Sequence, residues 1–378
     1  MASMEPCSRL TETLSDLEAA QKRALIVQKR VQKAGERVEQ VKVLAKRLAV
    51  EKEEVEHLGA FAKVYRRIGK MLIKTSAEEE QREVKVKEEE AERQLRVAEA
   101  ERETARQEVH LLEGELNDLE SREATASLTV AINRLLKTQP SLQRSARWLC
   151  FSIPTSPILQ EGPQCGLVSL TVAINAISKQ QLHSVATVFQ LARERGFSKQ
   201  GEMFSVDSMA SLAEELLPEG KVSTVEVGNL EESAWLVAAL LDGSLMLVPY
   251  DCTPDHSPGL AGGQKAHWAL VTGFLLPCPN TVALPPFCFP LPGCPSFYEL
   301  SKNSPISPAA SSGNLILVAR QSKSVLLGLW PARNLVLSCK NLRQAASKRL
   351  DGSYVLPEGG SLEKLRGRIV ILSKNKYQ

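Results

Sequence analysis

Gln160-Glu161-Gly162-Pro163-Gln164-Cys165-Gly166-Leu167-Val168-Ser169-Leu170 decides how the larger part of this chain is read. From Cys165 onward apolar residues fall at Leu167, Leu170, Val172, Ala173, Ile174 and Ile177, the spacing of a buried helix, and Gly162-Pro163 breaks the chain just before it. Cys165 is therefore expected in the first turn of a helix. Unpaired N–H groups and about half a positive charge gather there, which predicts a lowered thiol pKa and a larger thiolate fraction. Gln160 can bring its side-chain N–H₂ beside the sulfur and, with the Cys165 backbone N–H, hold a developing oxyanion. Gly166 leaves room for a substrate backbone. The same stretch also reads as plain helix packing, with Cys165 a small buried residue.

A cysteine nucleophile needs a base, and the chain has five histidines. His57 and His110 lie in the charged first third; His183 and His256 fall in polar or Pro/Gly-rich segments and are expected to face solvent. His267 differs, because it opens His267-Trp268-Ala269-Leu270-Val271-Thr272-Gly273-Phe274-Leu275-Leu276, a continuous apolar run that predicts a buried strand. An imidazole at the mouth of such a strand, facing a cysteine on a helix, is the arrangement of a thiol dyad.

Outward from this core the composition breaks in two. Residues 1–128 hold 24 basic and 27 acidic side chains, one proline and two aromatics, whereas 19 of the 20 prolines and all four tryptophans lie beyond. The net charge of +3 calls for neither nucleic acid nor an anionic membrane as partner. No apolar run approaches the roughly 18 residues of a membrane span. Met-Ala-Ser-Met-Glu-Pro carries no basic then apolar leader, so a cytoplasmic location is expected. The eight cysteines show no C-x-x-C pair and are read as reduced thiols, with no metal and no cofactor expected.

In the first third, Leu10, Leu17, Ala20, Ala24, Val27, Val31, Ala34, Val38, Val41, Ala45, Leu48 and Val55 recur in steps of three and four. Ala91, Leu95, Ala98, Arg102, Ala105, Val109, Leu112, Leu116 and Leu119 do the same. Both are seams of coiled-coil helices. Between them Val64, Tyr65, Ile68, Met71, Leu72 and Ile73, punctuated by Gly69, predict one or two short strands.

Two resemblances follow from these residues. Val64-Tyr65-Arg66-Arg67-Ile68-Gly69-Lys70-Met71-Leu72-Ile73-Lys74-Thr75-Ser76, between two long heptad helices, resembles a β-type prefoldin subunit. That likeness implies a client-binding hairpin and other prefoldin-type subunits as partners. In the second part, the segment around Cys165, Gly201-Glu202-Met203-Phe204-Ser205-Val206, Leu247-Val248-Pro249-Tyr250-Asp251 and Lys265-Ala266-His267-Trp268-Ala269 are similar to the actin maturation protease family of papain-like cysteine peptidases. Arg147-Trp148 and Asp351-Gly352-Ser353-Tyr354-Val355-Leu356-Pro357 extend the similarity. It implies an aminopeptidase that removes the N-acetylated Met or Cys of nascent actin with a thiolate, Cys165 as nucleophile, His267 as base and acid, and Gln160 as oxyanion donor. The family often has an acidic residue directly after the tryptophan of a late strand, but here Trp330 is followed by Pro331-Ala332-Arg333-Asn334. Either Asn334 orients the imidazole or the strand alone fixes it.

The expected class is α+β. A long antiparallel helical coiled-coil hairpin with a β insert occupies 1–127, a helical linker 128–150, and a papain-like α+β peptidase domain 151–378. Within the last, Pro277–Ser312 carries nine prolines and reads as a surface insertion. Strands are predicted at Lys221–Val227, Leu245–Tyr250, His267–Leu276, Leu315–Ala319, Ser324–Leu329, Tyr354–Leu356 and Ile369–Leu372, and a helix at Val206–Leu217 capped by Ser205. The alternative is a chaperone-type assembly module carrying a degenerate protease fold.

Overall fold

The computed structural model describes residues 6–57, 63–68, 71–142, 146–178, 183–228, 234–302, 304 and 314–375. Gly69, expected to punctuate the strands, Lys70, and residues 303 and 305–312 of the proline-rich stretch lie outside them. The chain divides into two compact units, Glu18–Asn117 and a larger one made of Met1–Leu17 with Asp118–Gln378.

Two helices supply the smaller unit. Helix α1 runs Pro6–Glu56 and α2 Ala77–Thr138, with strands β1 (Val64–Ile68) and β2 (Met71–Thr75) between them. Ser76 starts α2 by accepting the Glu79 N–H at 3.2 Å, Glu78, Glu79 and Glu80 complement the positive helix end, and Lys137 sits in its last turn. The strands pair antiparallel, Val64 opposite Thr75. Arg23, Arg30, Arg37 and Lys52 of α1 pair with Glu115, Glu108, Glu101 and Glu88 of α2; the partner number falls as α1 advances, so the helices run antiparallel. Ala20, Ala24, Val27, Val38, Ala91, Ala98 and Ala105 are buried, as the heptads require. Being exposed and screened by solvent, these ion pairs set register more than stability.

In the larger unit a mixed sheet is covered on both faces. Strand β3 spans Arg147–Ser152, β4 Gly220–Glu226, β5 Leu245–Cys252, β6 Pro258–Gly259 and β7 Ala266–Cys278. Further on come β8 Cys288–Pro290, β9 Phe297–Leu300, β10 Ile316–Arg320, β11 Gly328–Pro331 and β12 Arg368–Lys374. The long strand β7 organises the sheet: its first half pairs with β5, its second with β3, and β10 pairs along its middle. Gly273 is required where β3 approaches, since a Cβ there would lie 2.0 Å from the Phe151 carbonyl oxygen. Helices α3 (Cys165–Ile177) and α5 (Val206–Leu216) pack with Leu245, Leu247, Trp268 and Leu270 on one face. Helices α6 (Ala234–Leu241) and α7 (Ala332–Lys340) pack with Met246, Val248, Ala269 and Val271 on the other. Helix α4 is Val185–Glu194. The alternation along β5 and β7 is that of strands buried on both sides.

Several expectations need correction. Helix α2 continues unbroken to Thr138, so residue 127 falls within it, and its Leu128, Ala131 and Ile132 belong to the larger unit's core with Trp148 and Phe297. Residues 147–150, placed in a helical linker, are strand, because Trp148-Leu149-Cys150-Phe151 is short, apolar and β-favouring. The proline-rich stretch is not all surface: β8 and β9 lie in it, Leu291, Cys294 and Phe297 are buried, and Phe297 stacks on Trp148 at 6.0 Å. Tyr354–Leu356 is loop, and the strand expected at Ser324–Leu329 begins only at Gly328. The helix at Val206 forms as predicted, with the Ser205 hydroxyl accepting the Ser208 N–H at 3.2 Å.

Candidate active site

Cys165 is the first residue of α3 and is half-buried. The residue ahead of it, Gln164, makes no side-chain cap, so the helix start presents bare N–H groups. The thiol is nevertheless pushed up, not down. Burial outweighs the hydrogen bonds that the Trp268 and Gly166 backbone N–H groups give the sulfur, and outweighs the nearby Arg349 and Lys323. Helix position alone predicts a lowered thiol; burial acts in the opposite direction and raises it.

Gly166 serves packing rather than substrate. A Cβ there would stand 2.8 Å from Met209 Cε, 2.9 Å from Trp268 Cδ1 and 3.1 Å from Met203 Cβ, so its absence lets α3 sit directly on the sheet.

His267 is the second residue of β7, opposite Tyr250 on β5, and only 4% exposed. Its Nε2 lies 2.6 Å from the Gln321 carbonyl oxygen. The Tyr250 ring meets the imidazole edge-on at 5.6 Å and packs in turn against Trp330 at 5.3 Å. Burial holds the imidazole down to about 4, against the opposing bond to Gln321, and Lys323 and Arg349 add to the lowering. A raised thiol and a lowered imidazole describe a resting pair that is neutral.

Gln160 donates from Nε2 to the Gly162 carbonyl at 2.7 Å, and its Oε1 accepts from the Ser322 hydroxyl at 3.0 Å. A primary amide carries two N–H groups, so the bond to Gly162 uses one of them.

These three residues, from a loop, a helix and a strand, line one cavity of about 430 Å³. Met203, Trp268, Tyr354 and Leu365 share its lining with the cations Lys265, Lys323, Lys348 and Arg349. Asn334 does not join them. It is exposed in the first turn of α7, and of the two alternatives for fixing the ring, Asn334 or the strand alone, the imidazole Nε2 instead meets the Gln321 main-chain carbonyl. His183 and His256, expected in solvent, are half-buried, and neither lines the cavity.

Buried carboxylates tie the walls together. Glu202 accepts the backbone N–H groups of Lys199, Gln200 and Val355 at 3.0, 2.8 and 2.7 Å and the Ser198 hydroxyl at 3.2 Å, so one buried side chain ties the 198–202 loop to the 351–357 segment. Asp251, also buried, accepts the Gly263 and Lys265 N–H groups at 3.0 and 3.1 Å and so fixes the turn that delivers His267. Trp268 Nε1 donates to the Met203 carbonyl at 2.8 Å. Arg320, at the end of β10, is buried with Glu123 of α2: its guanidinium meets both carboxylate oxygens at 3.0 and 2.8 Å and donates to Thr155 Oγ1 at 2.7 Å. The segment leading on from Arg320 holds both His267 and Gln160.

Sequence reading missed Gln321, Ser322, Glu123 and Arg320. Gln321 contributes a carbonyl, which every residue has, so residue type carries no signal there. Glu123 had one: it stands four residues after Leu119, the next position of the 4-3 seam, and a charge at a seam position asks for a buried partner.

Comparison with known proteins bears on residues 155–275, which match the family model described as "Actin maturation protease-like, C-terminal domain". The chain is 33% identical to an "Actin maturation protease" of Danio rerio over 248 residues, 64% of this chain and 79% of that one. Against the protein of the same name from Mus musculus the identity is 35% over 254 residues, 64% and 68% of the two chains. With that of Homo sapiens it is 32% over 252 residues, 64% and 71%.

Proposed function

The chain belongs to the actin maturation protease family, and on that premise we propose that it is a cysteine-type aminopeptidase that removes the N-acetylated first residue, Met or Cys, of newly made actin in the cytoplasm. The observation that carries the reading is the convergence of Cys165, His267 and Gln160 on one cavity from separate segments.

A carbonyl oxygen only accepts, so the bond to Gln321 puts the imidazole hydrogen on Nε2 and leaves the lone pair on Nδ1. In the proposed reaction Nδ1 takes the Cys165 proton as the sulfur attacks the carbonyl carbon of the first residue. The oxyanion is held by the Cys165 backbone N–H and the second N–H of Gln160. The C–N bond then breaks, with the proton passing from His267 to the departing amine of residue two. A water, deprotonated by His267, splits the thioester, releases the acetylated amino acid and restores the thiol.

No metal or cofactor enters this scheme. The helical unit, prefoldin-like in sequence, would hold the client and raise its effective concentration at the site.

Mass spectrometry of an acetylated actin N-terminal peptide incubated with wild type and with Cys165→Ala tests the assignment. Loss of one residue with the wild type alone is expected; equal cleavage by both would remove Cys165 from the chemistry.

A further inference from the structure

Ser322 sits between the two arms of the site and has no role in the reaction as written above. It is 5% exposed, and its φ of 60° lies in the left-handed region that favours glycine. Its hydroxyl is 3.0 Å from Gln160 Oε1 and 2.7 Å from the Gln321 carbonyl oxygen, and its own carbonyl accepts the Gln160 backbone N–H at 2.8 Å.

The orientation of Gln160 follows from chemistry. The Gly162 carbonyl can only accept, so the amide end facing it is Nε2, and Oε1 is the end that turns to Ser322. Ser322 has one hydroxyl hydrogen, shared between two acceptors: the Gln321 carbonyl that holds His267, at 2.7 Å, and Gln160 Oε1, at 3.0 Å. A non-glycine residue kept at positive φ persists only where its surroundings over-determine it. Arg320, two residues back, supplies that constraint through Glu123 and Thr155.

We propose that Ser322 is a positioning residue: its hydroxyl fixes the amide of Gln160 in the rotamer that offers an N–H to the oxyanion, and ties that amide to the main-chain carbonyl that orients His267. The proposal rests on the peptidase reading given above.

The test uses the full chain and the acetylated actin peptide, with Ser322→Ala, Ser322→Gly, Gln160→Ala and the double variant Gln160→Ala/Ser322→Ala. Removing an oxyanion donor lowers kcat by about 10²–10³, and loosening one is expected to take a smaller share, about tenfold, with KM within twofold. In the Gln160→Ala background the loss of the hydroxyl should cost less than twofold, because the group it positions is gone. Glycine accepts positive φ and alanine resists it, so the two single variants should differ in melting temperature yet share the same fall in kcat. The proposal is overturned if kcat stays at the wild-type level in both, if kcat tracks melting temperature, or if the losses multiply independently in the double variant. Cleavage by wild type with unchanged Ser322 variants defeats this role alone; a wild type that does not cleave defeats the peptidase reading and this role together.

Discussion

The Nε2 of His267 lies 2.6 Å from the carbonyl oxygen of Gln321, and that single bond decides which face of the imidazole can act as a base. In the proposed reaction, main chain leading on from the Arg320–Glu123 pair takes the place that an asparagine or aspartate side chain holds in related chemistry.

Replacement separates the two candidates for orienting the ring. His267→Ala is expected to lower kcat by about 10²–10⁴, the usual share of a general acid and base. Asn334→Ala, on the exposed first turn of α7, should leave kcat within twofold of wild type. Steady-state kinetics on the acetylated peptide read both, and a large loss at Asn334 would return it to the site.

The neutral resting pair has a pH signature. Because the ring titrates at about 4, its ability to accept the thiol proton should fade only as pH drops toward 4, not near 6.5. Because burial pushes the Cys165 thiol up, alkylation by iodoacetamide should accelerate only toward alkaline pH. A preformed thiolate and imidazolium would instead be alkylated at an even rate across neutral pH, which a stopped time course at pH 6 and pH 9 would reveal.

Stability carries the same imprint. In the unfolded chain this imidazole takes a proton near 6.5, and in the folded chain only near 4, so between those values the unfolded state binds more protons and stability falls as pH falls. The contribution is complete above 6.5 and amounts to about 3 kcal/mol when fully lost. Denaturant melts between pH 7 and pH 4 should show that decline in wild type and a flatter course in His267→Gln.

Glu123 and Arg320 form an ion pair with almost no exposed surface. Removing one partner strands the other, so Glu123→Ala is expected to cost about 3–5 kcal/mol, while Glu123→Leu with Arg320→Met should cost far less. Equal destabilisation by the single and double changes would show that the pair's charge is not what matters.

Much of this was legible in the sequence because period and residue type coincide there. The heptad seams, the Cys165 helix, the His267 strand and the Ser205 cap each follow from local patterns that tertiary contacts reinforce. Strand β3 was not, since the four apolar residues at 148–151, shortly after a helical run, read equally as the tail of a helical linker. The packed part of the proline-rich stretch was missed because prolines usually mark surface loops, yet here Leu291, Cys294 and Phe297 find the apolar flank of Trp148 and Leu128. Cys165, His267 and Gln160, which share one cavity lining, could be picked by chemistry as candidates. Gln321 and Ser322 could not, because one offers a carbonyl that every residue has and the other a hydroxyl whose place beside Gln160 is set only by the folded loop.

A main-chain oxygen as the imidazole's anchor also changes how sequences of this kind should be screened. Surveys that look for a third polar side chain at a fixed place would pass over an imidazole that main chain holds. The carbonyl does not depend on the side-chain type at 321, while that buried side chain accepts the Lys323 N–H at 2.9 Å and so helps to hold the loop. The position to watch is the buried charge partner on the distant helix, whose loss would loosen the loop without touching a single residue that such a survey inspects.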